Sequence, residues 1–199
     1  MTATGKDLWT ETCLISICPV GGSDVEFAVR TKDISIDTGL KDIESMPTNS
    51  GGRAIKIKPE EDSEWAFGEC YFVGIQTTST DVSVAQLFED WTNVDVTDSR
   101  SVSASRNRVK VRIAVLWTDD STATSGAGAV AASSAGYRIV AANGYITEFK
   151  ESWEDGFLKA SFKFKFAPFA LDGSANRKRE DTEGVGIATL ASYTTSANW

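Results

Sequence analysis

The sequence predicts a mainly β protein, an antiparallel β-sandwich or barrel with one flanking α-helix, formed as a single domain by all 199 residues. Three observations lead to this prediction. Apolar and polar residues alternate along several segments, which is the pattern of half-buried strands. One segment carries apolar residues at helical spacing. Long polar stretches separate these segments, as expected for antiparallel strands joined by loops.

Four strands are predicted in the first 75 residues, at 12–17, 25–36, 55–58 and 63–75. The second strand changes the parity of its apolar positions near Thr31–Asp33, which predicts a bulge or bend there. In the third strand, Ile55 and Ile57 alternate with lysines, so their side is expected to be half-buried. The apolar side of the fourth strand consists of Trp65, Phe67, Tyr71, Val73 and Ile75.

Residues 81–91 form the predicted helix. Asp81 is a suitable N-cap, and apolar side chains follow it at helical spacing. This pattern predicts an amphipathic helix that packs over an edge or an opening of the sheet. Its packing residues are Val84, Leu87, Phe88 and Trp91.

Three more segments alternate in the second half of the chain. In 107–117 the apolar residues oppose Arg108, Lys110 and Arg112, so one side of this strand is expected to be wet or interfacial. Residues 137–149 contain Asn143-Gly144, a strong hairpin signal that predicts two strands. In 156–166, Phe162, Phe164 and Phe166 oppose Ser161, Lys163 and Lys165.

Three stretches, 37–52, 119–136 and 172–184, resist assignment to strands. The Ala/Ser/Gly-rich stretch 119–136 is expected to be a flexible surface loop. The stretch 172–184 carries a short basic run followed by acids, which favours a solvated or inter-subunit loop over a nucleic-acid patch. The basic run consists of Arg177, Lys178 and Arg179.

The composition argues against an enzyme. Histidine is absent, which removes the most common general base and metal ligand. No catalytic motif is present. Cys13, Cys18 and Cys70 match neither a disulfide framework nor a zinc site, so no metal or cofactor is expected.

Charge and hydrophobicity limit the partners. The 28 acidic and 20 basic residues give a formal charge of −8, which disfavours tight binding of nucleic acid. No apolar run approaches the roughly 18 residues that a membrane helix needs. The N-terminal residues lack the pattern of a signal peptide, so a cytoplasm is the expected place of synthesis.

Residues 31–74 resemble the major tail tube proteins of long-tailed, siphovirus-like viruses of bacteria and archaea. Three parts carry the resemblance: the loop IESMPTNSGG after a strand, the basic alternating strand RAIKIKPEED, and the aromatic strand EWAFGECYFVG. The position of the predicted helix and the segment FKFKFAPFALDGSANRKRED are also similar to that family. The stretch 119–136 has no counterpart in it.

The resemblance implies a tail-tube-like β-sandwich with a flanking helix. In that family six copies form a ring, the inner strands close into a continuous β-barrel, and rings stack axially into a hollow tube through which the viral genome leaves. It therefore implies a homo-oligomer that contacts the tape measure, terminator and baseplate proteins. DNA would pass without specific binding, no membrane would be involved, and the chain would belong to the virion tail, assembled in the host cytoplasm.

The stretch 37–52 is too long for a compact hairpin loop. As two extended limbs of about eight residues at ~3.3 Å each, it would reach roughly 25 Å, far enough to touch a neighbouring ring. Together with the resemblance this predicts an inter-subunit arm; the alternative is a segment that folds back onto its own domain. The contact residues of the arm would be Leu40, Ile43, Met46, Pro47 and Arg53.

Other functions stay open on the sequence. A ring protein of a contractile injection machine, or a tail terminator, would share the fold class. A carbohydrate-binding β-sandwich module would need a row of exposed aromatic residues, for which Trp9, Trp153 and Trp199 are candidates. A hydrolase is disfavoured because histidine is missing.

The basic strand faces raise a further question about a channel for DNA. Lys56/Lys58 and Lys163/Lys165 would make a wall basic unless they face outward or pair with acids across strands. The candidate acids are Glu26, Glu64, Glu69 and Glu148.

Overall fold

The structure, a computed structural model, describes residues 12–19, 27–40, 42–57, 60–71, 88, 110–170, 173–182 and 185–190. Within them the chain forms nine strands, and all strand pairs between them are antiparallel, which confirms the predicted mainly β, antiparallel fold. The strands are β1 (Thr12–Pro19), β2 (Phe27–Asp37), β3 (Ile43–Pro47), β4 (Arg53–Ile57), β5 (Ser63–Tyr71), β6 (Val111–Thr118), β7 (Gly136–Glu154), β8 (Phe157–Phe166) and β9 (Arg177–Asp181).

Seven of these strands form one sheet in the order β6-β1-β2-β5-β8-β7-β9, and β6 also pairs with β7. This additional pairing joins the first strand of the sheet to a strand near its other end, so the sheet bends back on itself into a half-barrel. The strands β3 and β4 form a separate two-stranded sheet, inserted in the chain between β2 and β5.

The long strand β7 belongs to two parts of the sheet. From Gly136 to Gly144 it pairs with β6, and within this half it also pairs with β9. From Tyr145 to Glu154 it pairs with β8. The turn into β8 is Asp155-Gly156, whose φ values of 53° and 79° fit a two-residue type I′ hairpin.

The hairpin predicted at Asn143-Gly144 is wrong, because β7 continues through both residues. Gly144 is required there for a different reason. A Cβ atom on it would lie 2.7 Å from the carbonyl oxygen of Lys165 and closer still to the ring of Phe164. The glycine therefore allows the two strands to approach each other closely and does not form a turn.

The core combines aromatic side chains of β5 and β8 with aliphatic side chains of the other strands. The ring of Phe67 stacks on Phe162 with 4.5 Å between centroids, and Trp65 meets Phe166 edge-on at 5.1 Å. These residues are buried, which confirms the alternation predicted for β5 and β8. The aliphatic part consists of Ile15, Ile17, Val111, Ile113, Val115, Ile139, Ala141 and Ile146.

Strand β6 is buried on both sides, so the wet side predicted for it is wrong. Arg112 and Leu116, on the side expected to be wet, are buried.

Residues 119–136 and 185–190 pack together, with Val130 and Ile187 exchanging two backbone hydrogen bonds of 2.9 Å. The stretch 119–136, expected to be a flexible surface loop, thus has a buried part, which consists of Ala127, Val130 and Ala135.

Residues 119–136 and 185–190 form a covering layer over β6 and β7, and a buried arginine holds this layer in place. The Arg138 side chain on β7 donates to Oε2 of Glu180 at 2.7 Å, to the carbonyl oxygen of Gly128 at 2.9 Å and to that of Ala188 at 2.7 Å. One guanidinium therefore links β9 to both covering segments, and the Glu180 carboxylate balances its charge.

The predicted helix falls almost entirely on residues that the structure does not describe. Val84, Leu87 and Trp91 lie outside the described residues, whereas Phe88 is within them. The backbone at Phe88 is helical, and its ring packs against the core with its centroid 6.1 Å from that of Phe149. The flanking helix as a whole stays a prediction.

The bulge predicted at Thr31–Asp33 is not found in the pairing of β2 with β5, which keeps one register from Arg30 to Asp37. A shift in register lies one strand further on, between Phe67 and Cys70 of β5 where it pairs with β8.

In the part of the chain that is described, no helix has the length and hydrophobicity needed to cross a membrane.

Substitution of Gly144 tests the close approach of β7 to β8. Gly144→Ala should lower the free energy of unfolding by about 1–3 kcal/mol, because the added methyl group forces Phe164 and the β8 backbone to move. Urea denaturation measures the change. Gly52→Ala is the control, since its added Cβ would meet Thr48 Oγ1 at 3.2 Å in an exposed segment. Equal losses in the two variants would contradict this role of Gly144.

Candidate assembly surfaces

Strands β3 and β4 form an exposed hairpin, which we call the arm (residues 43–57). Ile43 to Pro47 pairs with Arg53 to Ile57, and every residue of both strands is exposed. The sequence placed the arm at 37–52, whereas the structure shows that its second limb is β4. The half-buried side predicted for Ile55 and Ile57 is wrong, because the hairpin stands apart from the core.

Cross-strand pairing sorts the side chains of the arm onto two faces. Ile43 lies opposite Ile57, and Ile55 lies opposite Ser45. Ile43, Ile55 and Ile57 are 61%, 66% and 74% exposed. Since side chains alternate along a strand, they share one face, which we call the isoleucine face. This face comprises Ile43, Ser45, Pro47, Arg53, Ile55 and Ile57, and the opposite face comprises Glu44, Met46, Ala54 and Lys56.

Arg177 anchors the base of the arm. Its guanidinium donates to Glu60 Oε1 at 3.2 Å, to the carbonyl oxygen of Thr38 at 3.3 Å and to Ser63 Oγ at 3.4 Å. Thr38 precedes the arm, and Glu60 and Ser63 follow it, so one side chain holds both connections. The Glu60 side chain is only 7% exposed, which shields the ion pair from water.

The basic run 177–179 was expected to lie in a loop, but it forms the first part of β9. Arg177 contacts its own chain, whereas Lys178 and Arg179 are exposed. The positioning role of Arg177 was missed from the sequence. The acidic run Glu60–Asp62 was the available signal, since its first residue supplies the partner carboxylate.

One side of the β2-β5-β8-β7 sheet faces away from the core and is charged; we call it the wet face. On it the Lys163 ammonium lies between the carboxylates of Glu64 and Glu148, at 3.8 and 3.6 Å. Lys165 lies 3.7 Å from Asp62. Acids thus lie beside both lysines. Glu26 and the side chain of Glu69, the other candidate acids, are outside the described part of the chain.

Acids outnumber lysines on the wet face. Lys150 lies 2.6 Å from Glu148, and its hydrogen bond is the main reason why the pKa of Glu148 is below the ordinary value of 4.5. The charges of Lys150 and Lys163 lower this pKa further. The charged residues of this face are Asp33, Asp37, Asp62, Glu64, Glu148 and Glu154 against Lys150, Lys159, Lys163 and Lys165.

The β2-β5-β8-β7 sheet is open on two sides: part of the outer edge of β2 and part of the outer edge of β7 pair with no described strand. From Ile34 to Asp37, β2 pairs with β5, and no described strand pairs with its other edge. From Lys150 to Glu154, β7 pairs with β8 alone among the described strands. An uncovered edge offers N–H and C=O groups to another chain, so the sheet can be extended at both sides.

The described residues contain no group of three or more His, Cys, Asp and Glu side chains that could hold a metal ion. Their tryptophans differ in exposure: Trp65 is buried, Trp117 is half-buried and Trp153 is exposed. Trp9 and Trp199 lie outside the described residues. A row of exposed tryptophans, as a carbohydrate-binding surface would need, is therefore not seen in the described part.

No family model and no curated protein sequence matches the chain. Among solved structures, the chain is similar to the sheath/tube terminator of an extracellular contractile injection system, PVC, in the extended state. The TM-score is 0.50 at 9% sequence identity, over 85% of this chain and 94% of the terminator chain. The chain therefore shares the fold of this terminator. The similarity concerns the fold of a contractile system, and the siphovirus-like family that residues 31–74 resemble stays a prediction.

Two weaker similarities concern related assemblies. One is the PVC sheath-tube complex in the extended state, with a TM-score of 0.43 and 12% identity over 85% of this chain and 88% of that one. The other is the tube-terminating cap of the anti-feeding prophage, with a TM-score of 0.42 and 8% identity over 83% and 87% of the two chains.

Replacing Arg177 should loosen the base of the arm. In Arg177→Met the nearly buried Glu60 carboxylate loses its cation, so the free energy of unfolding should fall by about 1–3 kcal/mol. Hydrogen exchange should accelerate at residues 38–40 and 60–63, as measured by mass spectrometry. Arg179→Met, at an exposed position of the same strand, is the matched control and should change neither quantity. Unchanged exchange at these residues in Arg177→Met would refute the anchor.

Removing Lys150 should raise the pKa of Glu148. Because the lysine lowers this pKa in the folded chain, Glu148 favours folding above pH 4.5, and this contribution is lost as the pH falls through the lowered value. In Lys150→Met the carboxyl titration followed by carbon NMR should move up towards the ordinary value. Lys163→Met should give a smaller shift, since its influence is the weaker one; the opposite order would contradict the assignment.

Proposed function

We propose that the chain is a structural subunit of a tail tube or tail-like tube, and that copies assemble into rings that stack around a hollow channel. One combination carries this proposal: an exposed apolar arm and a four-stranded sheet with two open sides occur in the same chain. The fold that the chain shares with a tube terminator supports the same function. Six copies per ring, as in the family that residues 31–74 resemble, are part of the proposal.

Ring closure would come from pairing β7 of one copy with β2 of the next. The strands β2, β5, β8 and β7 alternate in direction, so β2 and β7 run antiparallel. Rotation about an axis along the strands preserves each direction, so β7 meets the next β2 as an antiparallel neighbour. An even number of strands per copy therefore lets the alternation continue around the ring. Closure also removes edges that would otherwise promote aggregation.

The wet face would line the channel. Its excess of acids gives a wall that repels a passing polyanion, and the acids beside Lys163 and Lys165 prevent these lysines from acting as a phosphate site. DNA would therefore pass during genome delivery without being held. The charge pattern fits conduction better than binding.

The arm would make the contacts between rings. The predicted contact residues Leu40, Ile43, Met46, Pro47 and Arg53 are exposed, and the structure adds Ile55 and Ile57 to them. Burial of apolar surface stabilises an assembly by about 25 cal/mol per Å², so a neighbouring copy gains by covering this hairpin. Other partners would be the tape measure, terminator and baseplate proteins of a virion tail assembled in the host cytoplasm.

A tube terminator is the second candidate function. The similarity in fold to the PVC sheath/tube terminator favours it. A terminator would form a ring that ends a tube and does not stack on itself. The two candidates therefore differ in whether the purified chain grows beyond a single ring. Neither of them involves catalysis.

Negative-stain electron microscopy with sedimentation velocity tests the proposal on the purified chain. Stacked rings or tubes at high protein concentration support a tube subunit, and isolated rings support a terminator. A chain that stays monomeric at millimolar concentration, with its arm protected from hydrogen exchange by its own domain, would refute both.

Charges on the isoleucine face should block stacking. The variant Ile55→Asp with Ile57→Asp should fold normally, because both side chains are exposed in the single chain, yet form rings without tubes. Electron microscopy counts the two species. Val185→Asp is the control, since Val185 is an equally exposed apolar residue outside the arm. Tubes formed by the arm variant at the wild-type concentration would argue against an axial role of the arm.

A further inference from the structure

The arm and the turn between β7 and β8 lie at opposite ends of the four-stranded sheet. The arm is inserted between Asp37 and Ser63, at the end where Ser63 pairs with Phe166. At the other end, Glu154 pairs with Phe157 on either side of the turn. Strand β8 has 10 residues, which places the two ends about 30 Å apart. Copies repeated head to tail would thus bring the arm of one next to the turn of another.

Among the side chains that the structure describes at the turn end, Trp153 is the exposed apolar one. Its side chain is 72% exposed, and Glu151 and Asp155 beside it are exposed as well. Glu151 and Trp153 are two residues apart in a strand, so they share one side of β7. An exposed indole next to a carboxylate is typical of a contact surface, since tryptophan combines a large apolar area with a rigid shape.

We propose that the isoleucine face of the arm docks on Trp153 of a copy in the next ring, with Arg53 meeting Glu151. The inference rests on the proposed function, because it needs rings that stack, and it names the surface that the arm meets. The occupant of the isoleucine face is a second copy of this chain, at its β7–β8 hairpin.

The two surfaces match in spacing and in charge. On the arm, Arg53 and Ile55 are two residues apart on the isoleucine face; on the hairpin, Glu151 and Trp153 have the same separation. Two residues of a strand span about 7 Å, so each surface places one charged group about 7 Å from an apolar one. The signs are opposite, and an arginine can also stack on the indole.

The remaining charges of the hairpin are consistent with this pairing. Glu154 forms an ion pair of 3.0 Å with Lys159 of its own chain. Glu151 lies on the side of Trp153, in a strand whose residues 150–154 are exposed. Arg53 is likewise on the apolar side of the arm, whereas Lys56 lies on the other face, opposite Glu44.

Exchange of the two charges tests the contact. Arg53→Glu and Glu151→Arg should each raise the concentration needed for tube growth at least tenfold while leaving rings intact. The double variant should return to within about threefold of wild type, because the charge pair is restored with reversed polarity. Arg179→Glu, at an exposed position of β9, is the control and should assemble like wild type. Light scattering gives the threshold concentration, and microscopy separates rings from tubes.

Truncation of the tryptophan gives a second measurement. Trp153→Ala should reduce stacking as strongly as the charged arm variants do, with an unchanged melting temperature because the side chain is exposed. Phe169→Ala removes another exposed aromatic side chain, 52% exposed and located outside the sheet strands, and should leave tubes unaffected.

Cross-linking locates the contact directly. A mixture of Ser45→Cys and Glu151→Cys chains should give disulfide-linked dimers on oxidation of assembled tubes, and neither variant alone should exceed the background of the native cysteines. Dimers that form equally in isolated rings would place the arm on a lateral neighbour and overturn the inference. Wild-type tubes from Trp153→Ala, or no rescue by the double charge exchange, would overturn it while leaving the tube function standing. Absence of rings in the wild type would overturn both.

Discussion

The architecture depends on one strand being shared between two parts of the sheet. The first half of β7 pairs with β6 and β9, and its second half pairs with β8. The strand continues from one half into the other where Gly144 allows Phe164 to come close. A hairpin at this position would have separated the two parts. Because the strand continues, β7 joins the four-stranded sheet with its open sides to the rest of the core.

The outer surface of one part of the sheet is covered by other residues, whereas that of the other part is exposed. This difference determines which surface is available for assembly. Over β6 and the first half of β7, residues 119–136 and 185–190 form a covering layer that the buried Arg138 ties down. The β2-β5-β8-β7 part keeps its charged outer side, where acids surround Lys163. A subunit of a hollow ring needs both properties. A covered surface prevents unspecific pairing with other chains, and a charged surface can face a water-filled channel.

Alternation predicted β5 and β8 correctly because their two sides face different surroundings, a core and a wet surface. The same reasoning failed for β6, where Val130 and Ile187 pack against Leu116, and for β4, where no core faces Ile55 and Ile57. A period of two reports the pleat of a strand and not what lies against each side. The first limb of the arm was predicted from its length and apolar residues, but its Arg177 anchor joins residues 117 positions apart, which no local pattern shows.

Among the described residues, the arm groups more exposed large apolar side chains than any other segment. A two-stranded hairpin is marginally stable on its own in water. Here hydrogen bonds between Thr48 and Gly52 close its turn, and the Glu61–Leu40 backbone hydrogen bond and the Arg177 anchor hold its base. Each isoleucine gains about 1.5–3 kcal/mol when it is fully buried, so the three on one face offer several kcal/mol to whatever surface covers them. In the proposed ring this gain would be repeated by every copy, which would make stacking cooperative even if each contact is weak. Hydrophobic burial has no direction, so the charged groups at its border select the partner surface.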